Sequence, residues 1–158
     1  MSEARLSLQD RWAPENRCFG CGPANEGGLR IKSFPDEASG DVVCSWKPER
    51  QHEAFEGVLN GGIIGALFDC HCNWAAVHQM ITTNRLERAP CTVTAEFHVY
   101  LKRPTPSREK VLLRARVVES SADRATVDGE LIAGGKVTAT CRGVFVAVRE
   151  GHPAYHRW

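Results

Sequence analysis

Residues Gly61 to Met80 constrain this chain more than any other stretch. Ile63, Ile64, Ala66, Leu67, Phe68, Trp74, Ala75, Ala76 and Val77 form a run too long for one strand, and they fall nearly all round a helix. A helix with no face suited to water has to be buried. A bilayer span fits poorly, because Asp69, His71 and Asn73 stand near the middle of the run, where a span needs ~20 mainly apolar residues. In a chain of 158 residues such a helix is the centre of a single domain with one core.

After Pro90 the pattern switches to period two. Cys91, Val93, Ala95, Phe97, Val99 and Leu101 alternate with polar residues until Pro104 and Pro106 end the strand. Val111 to Val117, Ala125 to Leu131 and Val137 to Phe145 repeat the alternation, the last two joined by the hairpin turn Gly134-Gly135. Upstream, Leu29–Phe34 and Asp41–Trp46 read as two strands around a turn at 35–40, and Pro48–Glu56 reads as polar loop. Residues 1–28 carry loop signals and are expected to be irregular. Residues 29–149 form the expected domain, and 150–158 a short tail rich in aromatic and His residues. Four strands joined by short turns make an antiparallel meander, and the one long helix is all that can cover it. The expected class is α+β, an antiparallel β-sheet wrapped around one long central helix, which is the hotdog fold.

Twenty Lys and Arg against nineteen Asp and Glu leave a net charge of +1, which argues against a nucleic-acid partner. Seven cysteines cannot all pair within one chain. Met1 to Asp10 is polar, with no apolar stretch of the kind a signal peptide needs. A reduced, cytoplasmic protein is expected, with no membrane partner.

The chemistry is expected at Leu59-Asn60-Gly61-Gly62 and at Asp69. Asn60 is a favoured helix N-cap, and Gly61, Gly62 and Ile63 follow it with backbone N–H groups at the positive helix end. That is the layout of an oxyanion hole, or else of a plain capped helix whose glycines serve packing. Asp69 lies in the third turn of an apolar helix with no Lys or Arg within a turn or two. An unpaired carboxylate there is costly, so it either serves chemistry or is hydrogen-bonded by a neighbouring Thr, Asn or backbone group. Gly62 and Asp69 share a helix face but stand about 10 Å apart along the axis. One carbonyl cannot touch both in one subunit, so the pattern predicts a two-fold dimer with composite sites.

Leu59-Asn60-Gly61-Gly62 followed by Leu67-Phe68-Asp69 resembles the His-Gly-Gly…Leu-x-Asp pattern of the hotdog acyl-CoA thioesterases of the PaaI-like and THEM-like group. The opening Cys18-Phe19-Gly20-Cys21-Gly22-Pro23-x-Asn25-x-x-Gly28-Leu29 and the stretches Thr92–Phe97 and Arg103–Pro106 resemble the same group, over roughly residues 16–148 in all. The resemblance implies an acyl-CoA thioester hydrolase that works as a homodimer or a dimer-of-dimers tetramer. It assigns Asp69 as general base or nucleophile, Gly62 as oxyanion donor, and Asn60 to the position of the usual His. Gly61, His52 and Thr94 are the implied substrate-binding residues. Asn60 can donate a hydrogen bond but cannot exchange a proton near neutral pH. Where relatives often carry Asn or Gln six residues before that His, this chain has Ala54, with Gln51 and His52 as stand-ins. That chemistry requires no cofactor, and no metal site is assigned.

Other signals carry less. Cys18-x-x-Cys21 is half a zinc site, and Cys70 and Cys72, about 200° apart on a helix, cannot both complete it. No Gly-x-Ser-x-Gly elbow is present. His71 reads as a hydrogen-bonded core residue, and His78 as a helix-end residue whose charge suits the dipole. Arg103, Arg108, Lys110, Arg114, Arg116 and Arg142 either meet CoA phosphates or line a solvated sheet face. Two rival functions stay open. A hotdog hydratase would carry His five residues after the Asp, where this chain has Trp74. A binding module for an acyl-CoA or aromatic ligand would have lost turnover with the His.

Overall fold

The computed structural model describes residues 5–156. Met1–Ala4, part of the segment read as free of a leader, and Arg157 and Trp158 at the end of the tail lie outside the described residues. The elements run α1 (Leu8–Trp12), β1 (Phe34–Pro35), β2 (Val42–Trp46), β3 (Glu53–Phe55), β4 (Val58–Leu59), α2 (Gly61–Asn84), β5 (Thr92–Leu101), β6 (Val111–Ser120), β7 (Arg124–Ala133) and β8 (Lys136–Ala147). Six strands form one antiparallel sheet in the order β1-β2-β6-β7-β8-β5, and β3 and β4 pair apart from it. The sheet curls around α2, which packs on β5, β6, β7, β8 and β2. This is the hotdog architecture that the apolar helix and the meander imply.

Burial of eleven of its residues explains the 24-residue helix, while Gly62 and the last turn at 82–84 stay exposed. Leu67, Phe68, Cys72, Trp74, Ala76 and Val77 are wholly inaccessible, and each large apolar side chain so placed is worth about 1.5–3 kcal/mol. The sheet comes close enough because β7 carries Gly129 under the helix. A Cβ there would stand 2.8 Å from the Cys72 sulfur and 3.0 Å from the Phe68 ring. Among the described residues no helix is long and apolar enough to cross a membrane.

The upstream region differs from the sequence expectation. Leu29–Ser33 is not a strand of the sheet, since Leu29 and Ile31 donate instead to the carbonyls of Phe19 and Gly20. Its apolar residues still enter the core, which is the signal that mimicked a strand. Residues 1–28, expected to be irregular, contain α1, capped by the Ser7 hydroxyl accepting from the Asp10 N–H. Pro48–Glu56 likewise holds a 3₁₀ turn at Arg50–His52 and the short β3.

His71 ties these parts together. It is fully buried; its Nε2–H donates to the Val42 carbonyl at 3.0 Å, which leaves Nδ1 to accept from the Ser33 hydroxyl at 2.9 Å. Ser33 in turn accepts from Gln9 of α1 at 3.0 Å. The imidazole is thus a neutral strut between α2, β2 and the N-terminal segment, as the sequence implied. His78 is a correction. It stands more than a turn before the end of α2, and burial, then Arg11 and Arg5, lower its pKa, so it is no positive helix-end cap.

Burial pushes the His71 pKa down to about 4. The folded state therefore binds fewer protons than the unfolded state below the ordinary value of about 6.5. Stability is full above that pH and falls as pH drops towards 4, by on the order of 3 kcal/mol from this group. Urea midpoints measured from pH 7 to 4 are expected to show that decline, and a His71→Asn variant is expected to lose that part of the slope.

Candidate active site

Asn60 begins α2. Its backbone is extended, and its side-chain oxygen accepts from the Gly62 N–H at 2.7 Å and from the Ile63 N–H at 3.3 Å. Its own N–H bonds the His52 carbonyl at 2.9 Å. The structure thus brings Asn60, Gly61 and Gly62 together at the helix start, in a half-exposed setting. His52 reaches them through its backbone only. Its ring lies 4.9 Å from that of Trp46, and its Nδ1 accepts from the Glu49 N–H at 2.9 Å. A Cβ on Gly61 would stand 3.1 Å from Leu101, so the helix start abuts the end of β5.

Asp69 sits two turns further on. Its carboxylate accepts from the Thr94 hydroxyl at 2.6 Å, and one helical turn beyond, Asn73 accepts from Thr92 at 2.7 Å. The two bonds are commensurate. Two strand residues span about 6.6 Å and four helical residues about 6 Å, so an antiparallel strand and helix meet in register twice. β5 also changes register on β8 between Thr94 and Glu96, a bulge beside the carboxylate. Burial raises the Asp69 pKa, the Thr94 hydrogen bond opposes that, and the nearby Cys18 adds to the rise. No Lys or Arg is among these causes, as the sequence implied.

Asp69 and Thr94 line a cavity of about 160 Å³ together with Asn16, Cys18, Cys21, Cys70, Asn73, Trp74 and Thr92. The cysteines are what the sequence reading missed. Cys70 follows Asp69 and faces Cys18 and Cys21, whereas Cys72 turns away to lie 3.8 Å from Cys141. Cys70 and Cys72 face different ways, as their helical spacing implies, but one helix cysteine suffices to meet the Cys18-x-x-Cys21 loop. Sulfur contacts within this trio lower the Cys18 pKa and, together with burial, raise those of Cys21 and Cys70. Larger surface clefts, about 630 and 730 Å³, lie around Arg11 and Trp12 near the other end of α2 and contain none of these side chains.

Four of the six basic residues considered for a phosphate-bearing ligand are engaged by carboxylates. Arg116 and Arg114 lie 2.8 and 3.7 Å from buried Asp41, Arg142 binds Asp128 at 2.6 Å across β7 and β8, and Arg108 binds Glu56 at 2.9 Å.

Comparison with known proteins bears on this arrangement. The family model of the thioesterase superfamily matches residues 56–140, which contain Asn60, Gly61, Gly62, Asp69 and Thr94. No curated protein matches the chain. Among solved structures, a thioesterase superfamily protein from Shewanella loihica PV-4 is 24% identical with a TM-score of 0.64, over 80% of this chain and 98% of that one. The E. coli PaaI protein of the phenylacetic acid degradation operon is 20% identical with a TM-score of 0.63, over 77% and 81%. A Bacillus halodurans protein solved with CoA is 22% identical with a TM-score of 0.60, over 77% and 76%. At these identities the likeness is one of fold.

Replacing Thr94 by Val removes the only hydrogen bond that favours the charged form of Asp69 among the causes above. Thr94→Val is expected to move the Asp69 titration to higher pH, read from its carboxylate ¹³C shift. An unchanged midpoint contradicts the assignment.

Proposed function

The chain belongs to the thioesterase superfamily, and from that premise we propose that it hydrolyses acyl-CoA thioesters, with Asp69 as general base or nucleophile. The observation that carries this reading is the half-buried Asp69 carboxylate, held at 2.6 Å by Thr94 with no Lys or Arg among the influences on its pKa. Desolvation makes a carboxylate a stronger base, able to take a proton from water or to attack a carbonyl carbon. Thr94 is a positioning residue in this scheme. The CoA held by the Bacillus halodurans protein supports a CoA ester as the ligand class.

Gly62 supplies the oxyanion donor. Its N–H is held by the Asn60 amide oxygen, so a bound thioester oxygen exchanges one neutral acceptor for another and gains little in the ground state. As negative charge develops on that oxygen, the bond roughly doubles in strength while the Asn60 alternative does not. The latch thereby favours the transition state over the substrate. One such donor is typically worth about 2.7–4 kcal/mol.

Gly62 and Asp69 are about 10 Å apart along α2, so the scheme uses Gly62 of one subunit with Asp69 of another. A homodimer, alone or doubled into a tetramer, follows. Its support is an edge strand, β5, with one neighbour in the sheet and with Tyr100 and Leu101 more than half exposed beside the helix start. The odd cysteine count supports a reducing compartment, and a cytoplasmic location is proposed on that ground.

The decisive experiment measures free CoA released from a panel of aliphatic and aromatic acyl-CoAs. Asp69→Asn and Asp69→Ala are expected to lower kcat/KM by about 10²–10⁴-fold, the usual worth of a positioned acid–base group. Robust hydrolysis surviving both substitutions refutes the role of Asp69. Tight binding of CoA esters without turnover by the unsubstituted protein favours a binding module, for which Asn60 closed over Gly62 is the structural argument.

A further inference from the structure

We propose that Cys18, Cys21 and Cys70 form a binding site for one thiophilic divalent cation, zinc in the first instance, which fastens the N-terminal segment to α2 beside Asp69. The three sulfurs lie within 4.8 Å of one another, and those of Cys18 and Cys70 are 3.6 Å apart. Zinc–sulfur bonds of about 2.3 Å set the edge of a sulfur tetrahedron at about 3.8 Å. The trio therefore closes on an ion with side-chain adjustments of an ångström or less.

The surroundings are those of a metal–thiolate centre. Asn16 accepts from the Cys18 N–H at 2.8 Å, and Gly22 donates to the Cys18 carbonyl at 2.8 Å, which fixes the loop. Trp74 donates its indole N–H to the Cys21 sulfur at 3.3 Å, an outer contact of the kind that orients a ligand. Gly20 makes room for the cluster, since a Cβ there would stand 2.3 Å from the Cys70 sulfur. Among the described residues, Cys44, Cys72, Cys91 and Cys141 belong to no such group of three ligand atoms.

The three sulfurs line one wall of the cavity that also holds Asp69 and Thr94. Three protein ligands with the fourth position open to a cavity is the layout of a centre with an exchangeable water. Binding is a simple exchange. The cation takes three sulfur ligands as thiolates, any thiol protons leave to solvent, and no electron is transferred.

Metal content is counted without any thioester, so this inference and the proposed hydrolysis stand or fall separately. Reduced protein is titrated anaerobically with Co²⁺ and followed by absorbance. Intense tetrahedral bands with thiolate-to-cobalt charge transfer are expected to saturate at one ion per chain and to vanish on adding equimolar Zn²⁺. Cys70→Ser is expected to abolish the charge-transfer band or weaken binding by at least about 10-fold, the smaller loss known for disturbing even an outer contact. Cys72→Ser is expected to bind as the unsubstituted protein does. Should Cys70→Ser not fold, the unsubstituted protein still decides, because Zn²⁺ is expected to shield the exposed Cys18 thiol from an aromatic disulfide reagent. No charge-transfer band, bands unaffected by Cys70→Ser, or thiol reactivity indifferent to Zn²⁺ overturns the proposal. So does a Cys18–Cys21 disulfide whose reduction produces no metal uptake.

Discussion

Burying the apolar face of α2 is the constraint from which the rest of this molecule follows. Eleven of its 24 residues are buried, so the polar side chains that lie among or beside them must find partners inside the protein. Asn73 takes the Thr92 hydroxyl, Asp69 takes that of Thr94, His71 takes Ser33 and the Val42 carbonyl, and Cys70 meets Cys18. These partners come from β5, the β1–β2 region and the N-terminal segment. The helix thus dictates which parts of the chain must close over it. Among the described residues no buried side-chain nitrogen or oxygen is left without a hydrogen bond.

Within that scheme two groups are partnered in ways that keep them adjustable. Asp69 has a single neutral hydroxyl where a structural carboxylate such as Asp41 has two arginines. Asp41 shows what the chain does when a buried negative charge serves only to hold strands together: it surrounds the charge with guanidinium groups. The absence of a cation among the contacts of Asp69 leaves burial as the dominant influence on its proton affinity. The Gly62 N–H is likewise held by a neutral amide oxygen from its own cap, a bond that a better acceptor can displace.

The sequence made the centre of the fold legible because periodicity reports burial directly. Alternation located β5 to β8, the apolar run located α2, and Asn60 marked its start. It misplaced Leu29–Ser33 for the same reason: Leu29, Ile31 and Ser33 are buried alternately, but Arg30 between them is left-handed and the Leu29 and Ile31 N–H groups bond the Cys18–Cys21 loop and not a strand. Period two cannot tell these apart, since it records where side chains go and not which carbonyls the backbone finds. α1 escaped because five residues are too few to display a period. Thr94 and Asp69 were readable one at a time, but their meeting depends on the antiparallel register of β5 on α2. Cys70 was dismissed by demanding that Cys72 join it, a condition that holds for two ligands on one helix and lapses when a loop brings the other two.

The size of the cavity beside Asp69 sets the final condition on any thioester reading. Ligand pockets are commonly about 300–1,000 Å³, and about 160 Å³ falls short of holding an acyl group and its thioester together. The N-terminal loop and Trp74 close the cavity from one side, so it cannot deepen there without disrupting the cysteine cluster and its indole bond. On the other side lies β5, the sheet edge with one neighbour, which carries exposed Thr94 in the cavity wall and exposed Tyr100 and Leu101 further along, beside the helix start. A second copy placed against that edge adds volume where the single chain lacks it. In the proposed dimer the second copy would also have to supply the Gly62, since each helix holds its own about 10 Å from its Asp69. Pocket volume and oxyanion geometry, two independent shortfalls of the single chain, thus make the same demand on the proposed partner.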